Sequence, residues 1–157
     1  MEFDVKMNSS ALYDYMMHHT YSGFLGVFGS GVGAVLIVVF AMSGNVYCGI
    51  MGVIVFLYNP ISLYWRSKKQ AKLNPAFKEP LHYVFDEEGV TVSQNDVSQC
   101  VRWEDMFKAT SSNRSIFLYT SRVNAWVFPK SVLGERKNDL IEIISKHMSP
   151  TKVRIRQ

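Results

Sequence analysis

The residues with reactive side chains are few, and their spacing argues against catalysis. Glu104-Asp105 and Asp86-Glu87-Glu88 are adjacent acids. Hydrolysis needs a nucleophile with a base, or carboxylates converging on one substrate. On a strand, neighbours point to opposite faces; in a turn, adjacent acids are ordinary solvated charge. No P-loop, GxSxG or HExxH pattern occurs. His18-His19 would suit a metal or proton site, but no carboxylate or third ligand is near in sequence, and the pair reads as interfacial polar residues. Cys48 and Cys100 have no CxxC partner and read as small apolar fillers in a reducing compartment. The expectation is a protein that is not an enzyme, with no cofactor and no metal.

The elements around these residues divide into an apolar block and a polar block. The 157-residue chain carries a formal net charge of +4 and a mean hydropathy of +0.02. No Asp, Glu, Lys or Arg stands between Asp14 and Arg66. Phe24 to Met42 and Val46 to Tyr64 are two uncharged stretches, each of about 19 residues and about 29 Å as helix, close to a hydrocarbon thickness of ~30 Å. Ser43-Gly44-Asn45 between them is turn chemistry, which makes the pair an antiparallel hairpin with both outer ends on one side. A pair of buried core helices would need more covering chain than remains. A cleaved signal peptide fits poorly with Glu2, Asp4 and Asp14 ahead of the apolar run and a second run after it.

Arg66, Lys68, Lys69, Lys72 and Lys78 follow the second stretch, and the turn has no cation. The expected location is therefore the cell membrane, multi-pass, with both termini cytoplasmic. Tyr13, Tyr15, Tyr21, Tyr58, Tyr64 and Trp65 suit an aromatic belt on that side. Arg66, Lys68, Lys69 and Lys72 either set topology alone or also attract anionic headgroups at about 1 kcal/mol each. Gly26, Gly29, Ser30, Gly31, Gly33 and Ala34 on the first helix, and Cys48, Gly49 and Gly52 on the second, permit close backbone approach. They serve packing within the hairpin, self-association, or both. Pro60 is expected to kink or end the second helix early.

The polar parts read as an α+β protein. Phe3, Val5 and Met7 alternate with Glu2, Asp4 and Lys6 as a candidate edge strand. Asn8, Ser9 and Ser10 supply N-cap chemistry for an interfacial helix carrying Leu12, Tyr13, Tyr15, Met16 and Met17. Beyond the basic segment come strands around Leu81/Tyr83/Phe85, Val90/Val92, Val101/Trp103, Met106–Thr110, Ser115–Thr120 and Ala125–Phe128, with turns at Asp86–Gly89, Gln94–Asp96, Ser112–Arg114 and Arg122–Asn124. This is an antiparallel meander, curved into a half-barrel or sandwich. Pro129 ends the last strand, and Glu135 to Met148 forms a helix with a Leu140, Ile141, Ile144, Met148 stripe that caps the sheet. The organisation is an N-terminal strand and helix over 1–22, the transmembrane hairpin over 23–65, a basic linker over 66–80, a pleckstrin-homology-like (PH-like) domain over 81–149 and a tail over 150–157. Trp103 and Trp126 read as core. Arg102, Arg114, Arg122 and Lys130 are candidates for a cationic cluster at one end of the sheet.

YVFDEEGVTVS, VRWEDMFKA and IFLYTSRVNAWVFPKSVL, in that order after two spans, resemble the YcxB-like family of small bacterial membrane proteins. The matching positions are Tyr83, Phe85, Gly89, Trp103, Asp105, Pro129 and Lys130. The resemblance implies a PH-like cytoplasmic domain on a membrane hairpin and supplies no activity or ligand. The expected partners are the lipid bilayer and a protein partner or homo-oligomer. The basic residues hug the apolar block and no reading helix is evident, so nucleic acid is not expected. Two functions follow: a membrane-anchored interaction module binding a protein, peptide or lipid headgroup, or a component of an oligomeric channel, transporter or regulatory complex assembled through the small-residue helix faces.

Overall fold

The computed structural model describes residues 1–77, 79–95 and 97–155. Lys78, among the flanking cations, and Asp96, in the turn after the second strand of the polar block, lie outside the described residues. The chain forms two units, Met1–Tyr15 with Ala71–Gln157, and Met16–Gln70.

The second unit holds two helices long and apolar enough to cross a membrane. α1 (Ser9–Tyr21) leads into it, followed by α2 (Phe24–Ser43) and α3 (Val46–Leu73). Gly44 ends α2 in the left-handed conformation, φ 68°, and its N–H donates to the Phe40 carbonyl. The Asn45 side chain then accepts from the Tyr47 N–H at 3.1 Å as α3 begins. Glycine carries the positive φ at this turn without steric cost. Pro60 lies inside α3 and does not end it, so of the kink or early end expected there the early end is not found. The helix runs on to Leu73, so the basic segment read as a linker over 66–80 is helical through its first two turns.

The first unit is a β domain made from both ends of the chain. One sheet has the order β1 (Glu2–Val5), β2 (Leu81–Phe85), β3 (Gly89–Gln94), β4 (Val97–Arg102), all antiparallel. The other has the order β7 (Ala125–Pro129), β6 (Ser115–Tyr119), β5 (Lys108–Ser111), β8 (Val153–Arg154). The alternation at Phe3 and Val5 is thus an edge strand, with Glu2 opposite Val84 and Val5 opposite Leu81. The meander expected as a half-barrel or sandwich runs through two sheets: β4 and β5 belong to different sheets, and the turn between them holds Trp103 and Met106, which were expected on strands. β8 falls in the segment read as a tail, where it pairs in parallel with β5. The helix expected over Glu135–Met148 is present as α5 (Lys137–His147), preceded by a short α4 (Lys130–Leu133) and a 3-10 turn over Gly134–Arg136.

Burial shows how the layers assemble. All five positions of β6 are buried, so both faces of its sheet are covered. Ile116, Leu118 and Phe128 share a core with Tyr83, Phe85 and Val90 of the first sheet and with Leu140, Ile144 and Met148 of the capping helix region. Phe117, Tyr119 and Val127 point the other way, against Met7, Ala11 and Leu12. The first half of α1, expected to lie only at an interface, is therefore a layer of the β domain. The Tyr15 hydroxyl donates to the Val123 carbonyl, and the Ser112 hydroxyl donates to Asp14 at 2.6 Å. Trp126 is half-buried, edge-on to Tyr83 with ring centroids 5.8 Å apart.

Tyr83 sits in the main core with 0% exposure, and its hydroxyl meets no hydrogen-bond partner among the described residues. Burial pushes the Tyr83 phenol well above the ordinary tyrosine value, and Tyr119 is pushed up to about 12 by burial and by the neighbouring Tyr15. These raised values give a stabilising contribution that is whole below the free tyrosine value of 10.0 and is lost as pH rises from there through the folded values. Tyr83→Phe removes an unpaired buried hydroxyl, and the full chain in detergent is expected to gain about 1 kcal/mol at neutral pH. The same variant should lose less stability than the native chain above pH 10. A lower Tm for the variant would show that the hydroxyl is paired.

Candidate functional site

Gly29, Gly33, Gly49 and Gly52 are consumed where the two apolar helices cross. A Cβ on Gly33 would stand 2.5 Å from the Phe56 nitrogen and 2.9 Å from the Gly52 carbonyl oxygen, and one on Gly52 would stand 2.9 Å from the Ile37 nitrogen. Only hydrogen at these positions lets the backbones meet. Gly29 faces the Asn59 side chain, Gly49 faces the Phe40 ring, and Gly26 packs on the Thr20 backbone. Ser30 is hydrogen-bonded to the Tyr21 hydroxyl at 2.8 Å. Ala34, one turn on from Ser30, is exposed, and Gly31 faces open space.

Arg66, Lys68, Lys69 and Lys72 are all exposed on the last turns of α3. Helical spacing puts Lys68, Lys69 and Lys72 on one side, away from the buried Leu63 and Ser67, while Arg66 stands between the two sides. Lys68 lies 4.5 Å from the centroid of the Tyr64 ring, a cation over an aromatic face.

Of the four cations considered for one cluster in the β domain, the structure brings two together. The Lys130 N–H donates to the Arg114 carbonyl at 2.8 Å, and both residues line a groove of about 400 Å³ with Asn8, Ser10, Asp14 and Ser131. The groove is built from α1, the β5–β6 turn and the β7–α4 junction. Ser112 fixes the turn: its hydroxyl accepts from the Arg114 and Ser115 amides at 3.0 Å and donates to Asp14. Asn8 caps α1 by accepting from the Ala11 amide at 2.8 Å. Two cations against one engaged carboxylate leave the groove net positive, suited to a carboxylate or phosphate group. Arg122 stands at the other end of β6, in the turn before β7, and Arg102 lines a separate groove.

That second groove, of about 520 Å³, is lined by Glu87, Glu88, Arg102, Trp103, Glu104 and His147. His147 stacks on Trp103 with ring centroids 5.2 Å apart and planes 15° apart, and its Nδ1 donates to the Ile143 carbonyl at 2.9 Å. The glutamates are exposed in turns. Among the described residues, no group of three or more His, Cys, Asp or Glu could hold a metal ion. Cys48 and Cys100 are both free thiols.

The motif positions are architectural. The Asp86 side chain accepts from the Glu88 and Gly89 amides at 3.0 and 2.8 Å, closing the turn before β3. A Cβ on Gly89 would run into the Val101 carbonyl oxygen. The Trp103 indole N–H donates to the Asp86 carbonyl at 2.9 Å. Asp105 is exposed in the following turn, where its amide donates to the Arg102 carbonyl. Phe85 and Phe128 pack at 5.7 Å in the core, and Pro129 ends β7 opposite Ser115. Sequence reasoning missed Asn8, Ser10, Asp14 and Ser131 as groove residues. Asn8 and Ser10 signalled only a helix start, and nothing in their spacing links them to Arg114.

Residues 85–144 match the family described as YcxB-like protein, so the resemblance read in the sequence is shown over that stretch. No curated protein and no solved structure matches the chain. The matched stretch contains β3 to β7 and most of α5, and leaves out β1, α1 and the apolar helices.

Trp103→Phe keeps an aromatic ring in the core but leaves the Asp86 carbonyl without its indole donor. The expected loss is about 1 kcal/mol or more, read as a lower denaturant midpoint of the full chain in detergent. An unchanged midpoint would remove Trp103 as the lock between the two turns.

Proposed function

We propose that the chain is a membrane-anchored, non-enzymatic interaction module: α2 and the apolar part of α3 cross the bilayer, and a PH-like β domain faces the cytoplasm. The observation that carries this is the β1–β2 ladder. Glu2–Val5 and Leu81–Phe85 are hydrogen-bonded partners on either side of the apolar hairpin in sequence. The two outer ends of that hairpin must therefore emerge on the same side, which an even number of spans satisfies. Cations at Arg66, Lys68, Lys69 and Lys72 then favour the cytosol. Exposed apolar side chains such as Phe28 (57%), Ile54 (55%) and Trp65 (68%) also support a lipid surround for these helices. Two four-stranded sheets closed by a C-terminal helix support the PH-like reading.

The binding surface on this reading is the groove at Arg114 and Lys130, and its ligand carries an anionic group, on an acidic peptide or a headgroup. The oligomeric channel or transporter reading has less support, because Gly33, Gly49 and Gly52 are occupied within the hairpin.

Cys100, exposed on β4, reports the side of the β domain once Cys48 is replaced by alanine. A membrane-impermeant maleimide is expected to label Cys100 in inverted vesicles and not in intact cells. Labelling in intact cells overturns the orientation. Binding is tested by titrating the detergent-solubilised full chain with inorganic phosphate and with a short acidic peptide. The expected result is a saturable, salt-sensitive response that disappears in Arg114→Ala/Lys130→Ala. An equal response in the double variant would rule out this groove.

A further inference from the structure

The edges of the two sheets are not treated alike. β1 carries Glu2 and Asp4, pairs Asp4 with His82 at 2.8 Å, and has the Glu2 carbonyl covered by the Arg136 guanidinium at 3.1 Å. β7 ends in Pro129, and β8 is only two residues long. Charges, proline, short strands and covering groups are the ordinary protections of an edge. β4 has none of these from Val97 to Val101: no charge, no proline, and side chains that are exposed except for the half-buried Val101. Val97 is 73% exposed, unusual for a valine at a strand. Among the described residues, the backbone groups of Val97–Val101 are hydrogen-bonded only to β3.

The sequence of this strand is its own complement. Val97-Ser98-Gln99-Cys100-Val101 reads nearly the same in reverse, because serine and cysteine differ only in one chalcogen atom. We infer that β4 is a homotypic interface, pairing antiparallel with β4 of a second copy of this chain about a two-fold axis at Gln99. In this register Val97 faces Val101 of the second copy, Ser98 faces Cys100, and Gln99 faces Gln99. The pairing keeps faces consistent. Val101 lies opposite Val90 and Gln99 opposite Val92 on the core side of the first sheet, so Val97 gains an apolar neighbour on that side and Ser98 and Cys100 meet on the other. No like charges are opposed, and the four-stranded sheet continues into its copy. A C2 contact of this kind is isologous and closes on itself, and strand addition at an open edge takes its affinity from main-chain hydrogen bonds. The inference does not depend on the positive groove at Arg114 and Lys130.

Directly opposed residues have Cβ atoms about 4.5–5.5 Å apart, while diagonal ones are about 7–8 Å apart. Ser98→Cys in a Cys48→Ala background therefore sets a thiol opposite Cys100 of the second copy, within reach of a disulfide. The native Cys100 pair is diagonal and out of reach. With oxidised glutathione as oxidant, the full chain in its membrane is expected to give a reducible dimer for Ser98→Cys and not for the native thiol alone. Adding Gln99→Lys places like charges in direct opposition, and the dimer should fall to background. Gln99→Glu should do the same. Mixing Gln99→Lys chains with Gln99→Glu chains, distinguished by tags, should restore a dimer containing one of each. Gln99 is exposed, so an unchanged Tm in each single variant separates lost pairing from lost folding. No Ser98→Cys dimer overturns the inference, as does a dimer indifferent to charge at position 99. Failure of the mixture to recover means another segment occupies the edge.

Discussion

The pairing of Glu2–Val5 with Leu81–Phe85 is the constraint on which the rest of the architecture depends. It joins strands separated by the whole apolar hairpin, so the loop it closes is long and its closure entropy must be met by contacts made elsewhere. Those contacts are identifiable. Val5 is buried in the main core, Phe3 packs on Phe85 and Phe128, and the Met1 amine donates to the Phe85 carbonyl at 2.9 Å. Met7, Ala11 and Leu12 then cover the outer face of β6. A fully buried Leu side chain contributes about 1.5–3 kcal/mol. The strand and the first half of α1 therefore act together as one side of the domain.

This explains which features were legible in the sequence. The two apolar helices were legible as helices because each is a long uncharged run and the Ser43-Gly44-Asn45 turn divides them. β1 was legible from Phe3 and Val5 alternating with acids, and α5 from the Leu140, Ile141, Ile144 stripe, since one-sided burial leaves a period. β6 was legible only as an apolar run. Its burial on both faces erases the alternation, so the sequence held no sign that Phe117 and Tyr119 face a helix from the other end of the chain.

Other features were hidden because a local rule yielded to its surroundings. Pro60 removes one amide donor, yet α3 continues. Val101 and Trp103 looked like strand neighbours on one face. Instead Trp103 lies in a turn, drawn there by its indole bond to the Asp86 carbonyl and its amide bond to Glu88. β8 has only two residues, too short for any periodicity. The division into two sheets is set at the Trp103–Met106 turn, and its cause is tertiary.

The candidate site was the least legible feature, for a related reason. Its cations, Arg114 and Lys130, come from turns on one side of the hairpin in sequence, while Asn8, Ser10 and Asp14 come from the other. Each belongs to a local motif that is complete in itself: a helix cap, a strand turn, a strand-to-helix junction. The groove exists only once α1 has docked on β6, because the Asp14–Ser112 hydrogen bond holds α1 to the turn that carries Arg114. Motif residues such as Gly89, Trp103 and Pro129 hold the frame and leave little side chain for a ligand. Among the described residues, side chains that the frame does not consume remain at the groove closed by the N-terminal segment and along Val97, Ser98, Gln99 and Cys100 of β4. Because the groove and the β1–β2 ladder share that segment, the step that completes the domain across the apolar hairpin is also the step that forms its positive groove.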